Sequence, residues 1–423
     1  MTLAAASTTT EQDQGQEHGP TTTVPADRGG RWRPGSDAVL CALLAVGWQA
    51  ALLLLGFLLE RPLRGLVAPQ GPAAPAVTAL SHTYRYDATW ISGILEGSYT
   101  SRPSSAAFYP LFPLLVRAVQ VASFGTVGIL VAGLVVNTVA LGFALHALLR
   151  LTRHFVTSRP LGWIAVALFL GAPTAYYLHA FYSEGVFVAL AFTAYRFALE
   201  RRWLPMGLCL IPLTASRVTA ILVVGLCFLE FCHAQGWRLR GLLRPAVLWF
   251  PASLGGFAAY AAYLRATTGD AWGMFTAYTI EPSWSYTRFE PNIPLTLLRQ
   301  AAVAARALTG RIPFTNTVLV DQILPLAGLA VLLAASAYLM WALRGRGVPL
   351  GLYGIATALM ITLNSNLVAV HRYLLPAVVI YVALVVLAER NRVGRPVVAA
   401  HLYLGVLIQG VLFALFTANA WAG

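Results

Sequence analysis

The feature that most constrains this chain is a series of apolar runs, several reaching the ~20 residues that carry a helix across a bilayer. Short arginine-rich segments separate them. Ala38–Leu59, Gly125–Leu149, Leu161–Phe181, Gly185–Leu199, Leu204–Ala215 and Val218–Phe231 are expected spans. Ala246–Leu264, Val318–Leu343, Val348–Thr362, Tyr373–Ala388 and Val397–Phe416 complete the set. Barrel strands would instead show short alternating segments, which are absent. The expected fold is therefore all-α and polytopic, with about eleven spans. Leu204–Phe231 reads either as two crossings or as one long tilted helix.

Loop charge decides between those counts. Only 11% of the residues are charged, against about 25% in soluble domains. The net charge of +13 comes from 29 basic residues, all of them arginine. With the N-terminus inside and eleven crossings, seventeen arginines fall in six short cytoplasmic segments around Arg28–Arg33, Arg150–Arg159, Arg196–Arg202, Arg238–Arg244, Arg344–Arg346 and Arg390–Arg395. That is the asymmetry expected when cytoplasmic loops hold the positive charge. The basic balance is thus assigned to membrane orientation, and nucleic acid is not an expected partner. The four cysteines, Cys41, Cys209, Cys227 and Cys232, lie in apolar runs and read as core residues.

Residues 1–36 are rich in Thr, Gln, Gly and Pro, lack an apolar core and read as a disordered cytoplasmic tail. Residues 37–423 form the expected transmembrane domain. It carries two external loops, about 60–124 and 265–317, too long to be simple connectors. No internal repeat is evident, which argues against a transporter of duplicated halves.

In this topology Asp87, Glu184, Arg217, His371 and Arg372 all lie at outer ends of spans, in separate parts of the chain. Ionisable groups at that depth face a cavity or one another, so a shared site is expected. Asp87 stands in Tyr84-Arg85-Tyr86-Asp87-Ala88-Thr89-Trp90, a carboxylate among aromatics that suits proton abstraction beside a stacked sugar; pairing with Arg85 at a turn is the structural alternative. Glu184 follows Tyr182-Ser183 and either pairs with Arg217 or caps a helix N-terminus. Arg217 and His371-Arg372 are cations suited to a lipid phosphate, or else snorkel to the interface. The loop 268–294 is dense in aromatics, including Trp284 beside Arg288. It covers the cavity or forms an interfacial belt. Phosphate-binding glycine loops, HExxH and paired CxxC motifs are absent. The first long loop has no Asp-x-Asp pair, so neither metal nor cofactor is expected.

Arg85-Tyr86-Asp87-Ala88-Thr89-Trp90, Ala107-Phe108-Tyr109-Pro110-Leu111-Phe112-Pro113-Leu114, Tyr182-Ser183-Glu184, Ser216-Arg217-Val218-Thr219 and His371-Arg372-Tyr373-Leu374-Leu375-Pro376 occur in this order. Together they resemble the PIG-V-like mannosyltransferases, members of the GT-C class of polytopic glycosyltransferases. The chain departs from that pattern at Tyr86 and Ile91, where Trp and Tyr are usual. The resemblance implies a GT-C-like fold in a plasma membrane. It also implies a polyprenyl-phosphate-mannose donor and a glycolipid or other hydroxyl acceptor on the extracytoplasmic side. In those terms Asp87 is the base of an inverting transfer, and Arg217, Arg372 and His371 hold the donor phosphate. Arg85, Tyr86, Trp90, Tyr182, Glu184, Trp284 and Arg288 touch sugar or acceptor. The alternatives are a transferase of another polyprenyl-phosphate sugar (arabinose or glucose), a lipid or solute transporter, and a non-catalytic subunit.

Overall fold

A computed structural model describes residues 34–63, 79–284 and 288–423. Up to residue 33 the expected tail lies outside the described residues, as does the stretch 64–78 of the first external loop. The first described helix is Pro34–Leu63. The described residues are all-α; their one β feature is an isolated bridge between Phe289 and Asn364.

Among the described residues, five helical stretches are long and apolar enough to cross a membrane: Gly35–Leu63, Ile129–Thr152, Pro245–Thr268, Asn316–Thr362 and Gly394–Thr417. Their outward faces are apolar. Val39, Leu43, Val46, Leu54 and Leu58 on the first, and Tyr403, Leu404 and Val411 on the last, are all strongly exposed. Such continuous apolar exposure fits lipid contact and not water. This is a membrane protein.

Two ends of the helical unit gather charge. At one, Arg159 pairs with Asp37 (2.6 Å), Arg346 donates to the His154 carbonyl (2.5 Å), Glu389 accepts from the Thr157 amide (2.7 Å), and Arg390 donates to the Ala342 carbonyl. At the other, Glu60, Arg85, Asp87, Glu184, Arg217 and Arg372 are connected. Among the described residues, helical segments connect these ends. They are Pro34–Leu63, Ile129–Thr152, residues 159–184, Glu184–Leu199, Trp203–Thr214, Ala220–Ala234, residues 245–268, the helix ending at Leu343, Val348–Thr362, Val378–Arg390 and Gly394–Thr417. Leu204–Phe231 is therefore two helices, broken at residues 215–219.

The stretch Asn316–Thr362 is itself two passes. Leu324–Leu343 and Val348–Thr362 are joined by a tight turn in which Arg344 has φ +49°. Glycines let them lie close. A Cβ on Gly347 would meet the Leu339 carbonyl at 2.0 Å, and one on Gly354 would meet Ser336 at the same distance.

The expected span Leu161–Phe181 is not one helix. The helix Arg159–Leu170 stops, and residues 171–183 run irregularly through a 3₁₀ turn at Ala175–Leu178. Irregular backbone at membrane depth requires that its freed polar groups find partners within the protein. Three buried side chains on neighbouring helices supply them. Gln409 donates to the Leu170 carbonyl (3.0 Å), Gln49 to that of Leu178 (2.9 Å), and Asn137 to that of Ala180 (2.8 Å). The break packs closely on Gly394–Thr417, where a Cβ on Gly405 would lie 2.4 Å from the Gly171 carbonyl. Pass 245–268 is also broken, into Pro245–Leu248, Trp249–Ser253 and Gly255–Thr268.

Both long loops are largely helical where described. The first contains Asp87–Leu95 and the amphipathic helix Leu111–Ala122, whose Leu114 and Val121 face outward while Phe112 and Val116 are buried. The second contains Gly273–Ile280 and Ile293–Leu308. The expected span from Tyr373 starts only at Val378; before it, Val370–Tyr373 is a separate helical turn.

Candidate functional site

Asp87 opens the helix Asp87–Leu95, and its backbone is built with strain beside it. Tyr86 has φ +44°, a region that residues with side chains rarely occupy and that clusters at functional sites. Contacts hold this bend from two sides. The Tyr86 hydroxyl donates to the Asn419 carbonyl (3.1 Å), and the Asp87 amide donates to the Tyr182 hydroxyl (3.3 Å). Tyr182 in turn donates to the Arg85 carbonyl (3.0 Å). Thus the broken pass, through its buried Tyr182, sets where the Asp87 carboxylate stands.

Arg85 is not the partner of Asp87. Its guanidinium points the other way, to Glu60 (3.1 Å) and to the carbonyls of Ser81 (2.6 Å) and Thr417 (3.0 Å). Asp87 pairs instead with Arg372, at 2.8 Å. Arg372 also binds Glu184 through two nitrogens, at 2.7 and 3.2 Å. Glu184 opens the helix Glu184–Leu199, where the helix dipole favours a negative charge. The same Glu184 oxygen takes Arg217 at 2.9 Å. Four charged residues from four chain segments thus form one chain of ion pairs: Asp87, Arg372, Glu184 and Arg217.

Burial grades along that chain. The Glu184 and Arg372 side chains are 3% and 9% exposed, whereas those of Arg217 and Asp87 are 20% and 29% exposed. Arg372 also lies over the rings of Tyr177 (4.6 Å) and Tyr182 (4.9 Å), which makes it the fixed member. Arg217 stands in the 215–219 break just ahead of the helix Ala220–Ala234, 5.5 Å above the Tyr373 ring. The two outer groups, one anion and one cation, are the ones presented to solvent.

They are presented to a cavity of about 870 Å³. Its lining combines the ion-pair chain with aromatic side chains (Phe108, Tyr278, Trp284, Phe289, Tyr373 and Trp421) and aliphatic ones (Val218, Met360, Ile361 and Val368). Asp87, Tyr182, Glu184, Arg217, Trp284, Arg288 and Arg372, all expected at the site, line it.

The other expected residues do not line it. His371 is buried, and its Nε2 faces the Ala422 carbonyl at 3.2 Å. Burial pushes its pKa down to about 4, so at neutral pH it carries no charge for a phosphate. Tyr86 packs against Trp421 and Phe416 behind the wall. Trp90 stacks on Phe108 (5.8 Å) and meets Trp284 (4.9 Å), with the Arg102 guanidinium 3.4 Å above its ring. It backs the aromatic wall and does not form it. Sequence reasoning missed Tyr177, Asp321 and Trp421. Trp421 lies beyond the last apolar run and Asp321 inside one, so neither had a neighbour in sequence to mark it. Among the described residues no three His, Cys, Asp or Glu side chains converge.

No family model and no curated protein matches this sequence. Among solved structures, the oligosaccharyltransferase of Archaeoglobus fulgidus, in a complex with zinc and sulfate, aligns with a TM-score of 0.47 at 15% identity. The alignment covers 87% of this chain and 53% of that one, so the chain spans about half that enzyme's length. A likeness this distant does not say what the chain does.

Proposed function

We propose that the chain is a GT-C-class membrane glycosyltransferase that moves mannose from a polyprenyl-phosphate donor to a hydroxyl acceptor. The observation that carries this reading is that one cavity is lined both by the ion-pair chain and by apolar, largely aromatic side chains. A lipid-linked sugar phosphate has matching parts: an apolar tail, an anion and a ring. The resemblance of the Asp87, Glu184, Arg217 and Arg372 motifs to PIG-V-like mannosyltransferases supports mannose as the sugar. A glycolipid is the acceptor in this reading, and the arginine-rich end faces the cytoplasm, so the cavity opens on the extracytoplasmic side of the plasma membrane.

In this mechanism Asp87 accepts the proton of the acceptor hydroxyl as its oxygen attacks the anomeric carbon from the face opposite the phosphate. The glycosidic C–O bond breaks with inversion, and its electron pair leaves with the lipid phosphate. The two arginines divide the remaining work. Arg372, tied to both acids and lying against the rings of Tyr177 and Tyr182, holds Asp87 in place. Arg217 binds one carboxylate and faces the cavity from a helix N-terminus, so it is the cation that meets the growing phosphate charge. Glu184 orients both. His371, neutral and turned toward the 417–423 segment, takes no part in holding phosphate.

The test is mannose transfer from a short-chain polyprenyl-phosphate-mannose by purified protein, with membrane extract as acceptor, wild type beside Asp87→Asn. Transfer by the wild type alone supports the reaction and the base together. Equal transfer by both removes Asp87 from the chemistry. Donor binding without transfer by either points to another sugar, and absence of donor binding ends the reading.

A further inference from the structure

We infer that Trp421 is the wall against which the transferred hexose ring lies, and that Asp321 is the residue that positions it; this rests on the transferase reading above. Asp321 belongs to a π-helical turn, Leu319–Ile323, inserted where the chain enters the Leu324–Leu343 helix. Such turns are rare and occur at functional sites. The turn brings a buried carboxylate against the 417–423 segment. Both Asp321 oxygens accept from the Trp421 indole N–H, at 3.0 and 3.1 Å.

The backbone that carries the indole is anchored as well. The Trp421 carbonyl accepts from the Asn316 amide (2.9 Å), and the next carbonyl, Ala422, accepts from Tyr176 (3.1 Å) and Tyr177 (3.2 Å). Its ring meets Tyr86 edge-on, at 5.3 Å and 89°. Tyr86 is the strained residue that precedes Asp87, so the wall and the proposed base share a support.

With its one polar group spent on Asp321, Trp421 offers the cavity only its apolar ring. It does so on the same lining as Asp87 and Arg372. In the proposed inverting transfer, the group that must stand between the base and the phosphate is the transferred sugar. A hexose has an apolar face of C–H groups, and an aromatic ring packs against it. Which hydroxyls stand axial decides how well that face fits, so Trp421 is placed to discriminate among sugars.

The experiment compares Trp421→Ala, Trp421→Phe, Asp321→Ala and Asp321→Asn with wild type. Donors are short-chain polyprenyl-phosphate-mannose and the corresponding glucose compound. Trp421→Ala is expected to lower kcat/KM for the preferred donor about tenfold, mainly through KM, a stacking contact being of that order. Trp421→Phe loses less, and the mannose-to-glucose ratio shifts. Asp321→Ala moves in the same direction as Trp421→Ala, while Asp321→Asn, which keeps an oxygen for the indole, stays within about twofold of wild type. The inference is overturned if activity only tracks the folded fraction, or if Asp321→Asn fails as Asp321→Ala does. Binding of polyprenyl-phosphate-mannose against bare polyprenyl phosphate separates the two layers. A Trp421 contribution specific to the sugar-bearing ligand stands even without transfer by the wild type, a result that would remove the transferase reading alone. An equal effect on both ligands removes the Trp421 inference alone.

Discussion

The two charged ends of this molecule are made of the same residue types and hold them in opposite ways. At the arginine-rich end, beside the long-range Arg159–Asp37 pair, a local cluster lies nearer solvent: Arg196 with Glu200 four residues on, and Arg202, 58% exposed, with the same Glu200 at 3.8 Å. At the cavity end, Glu184 and Arg372 are withdrawn from water and bridge segments 188 residues apart. An exposed pair is worth little and serves orientation. A buried one fixes geometry, at a desolvation cost that makes breaking it severe.

That contrast can be broken experimentally. The largest effect is expected from Asp87→Asn, which keeps shape and removes the base: transfer falls by ~10²-fold or more, while donor binding and thermal unfolding stay near wild type. A variant that turned over normally would leave the cavity end a structural device only. Next is Glu184→Leu, which removes the carboxylate that Arg217 and Arg372 share and leaves Arg372 with Asp87 alone. Thermal unfolding in detergent should show a loss of about 3–5 kcal/mol, against under about 1 kcal/mol for Arg202→Ala at the opposite end. Comparable losses would erase the distinction between the two ends.

A smaller effect tests the support behind the site. Gln409→Leu removes the donor to the Leu170 carbonyl at the start of the break. Leaving that group unpaired should cost about 1–3 kcal/mol, with a lowered unfolding midpoint as the readout. The smallest effect is in pH. Burial pushes His371 and His82 down to about 4 from an ordinary 6.5. Between those values the unfolded chain binds protons that the folded one refuses, so stability falls as pH drops from 6.5 toward 4 and levels off below. In His371→Asn the midpoint should decline less steeply over that window; an unchanged slope would mean the imidazole is not kept neutral.

Much of the site was legible before the structure. Asp87, Glu184, Arg217 and Arg372 each sit at the same end of an apolar run, and charge at membrane depth requires partners. Which partners was not legible: Asp87 neighbours Arg85 in sequence yet pairs with Arg372, because the bend at Tyr86 turns the two side chains apart. His371 carried the same positional signal as Arg372 and faces the opposite way. The break after Leu170 had a trace in Gly171 and Pro173, residues that end helices. What compensates it lies on three other helices, which no local pattern announces.

Hydrophobic run length and arginine spacing by themselves determined the class, an all-α membrane protein, and the end at which the ion-pair chain collects. These are one-dimensional properties, since the bilayer imposes a fixed thickness and a fixed charge asymmetry on any chain that crosses it. Tertiary structure alone decided that residues 171–183 leave the helix, that Arg372 binds two acids while Arg217 binds one, and that Trp421 reaches the cavity. Each depends on hydrogen bonds and ion pairs between segments distant in sequence, where buried polar groups take whatever partner the packing brings within 3 Å.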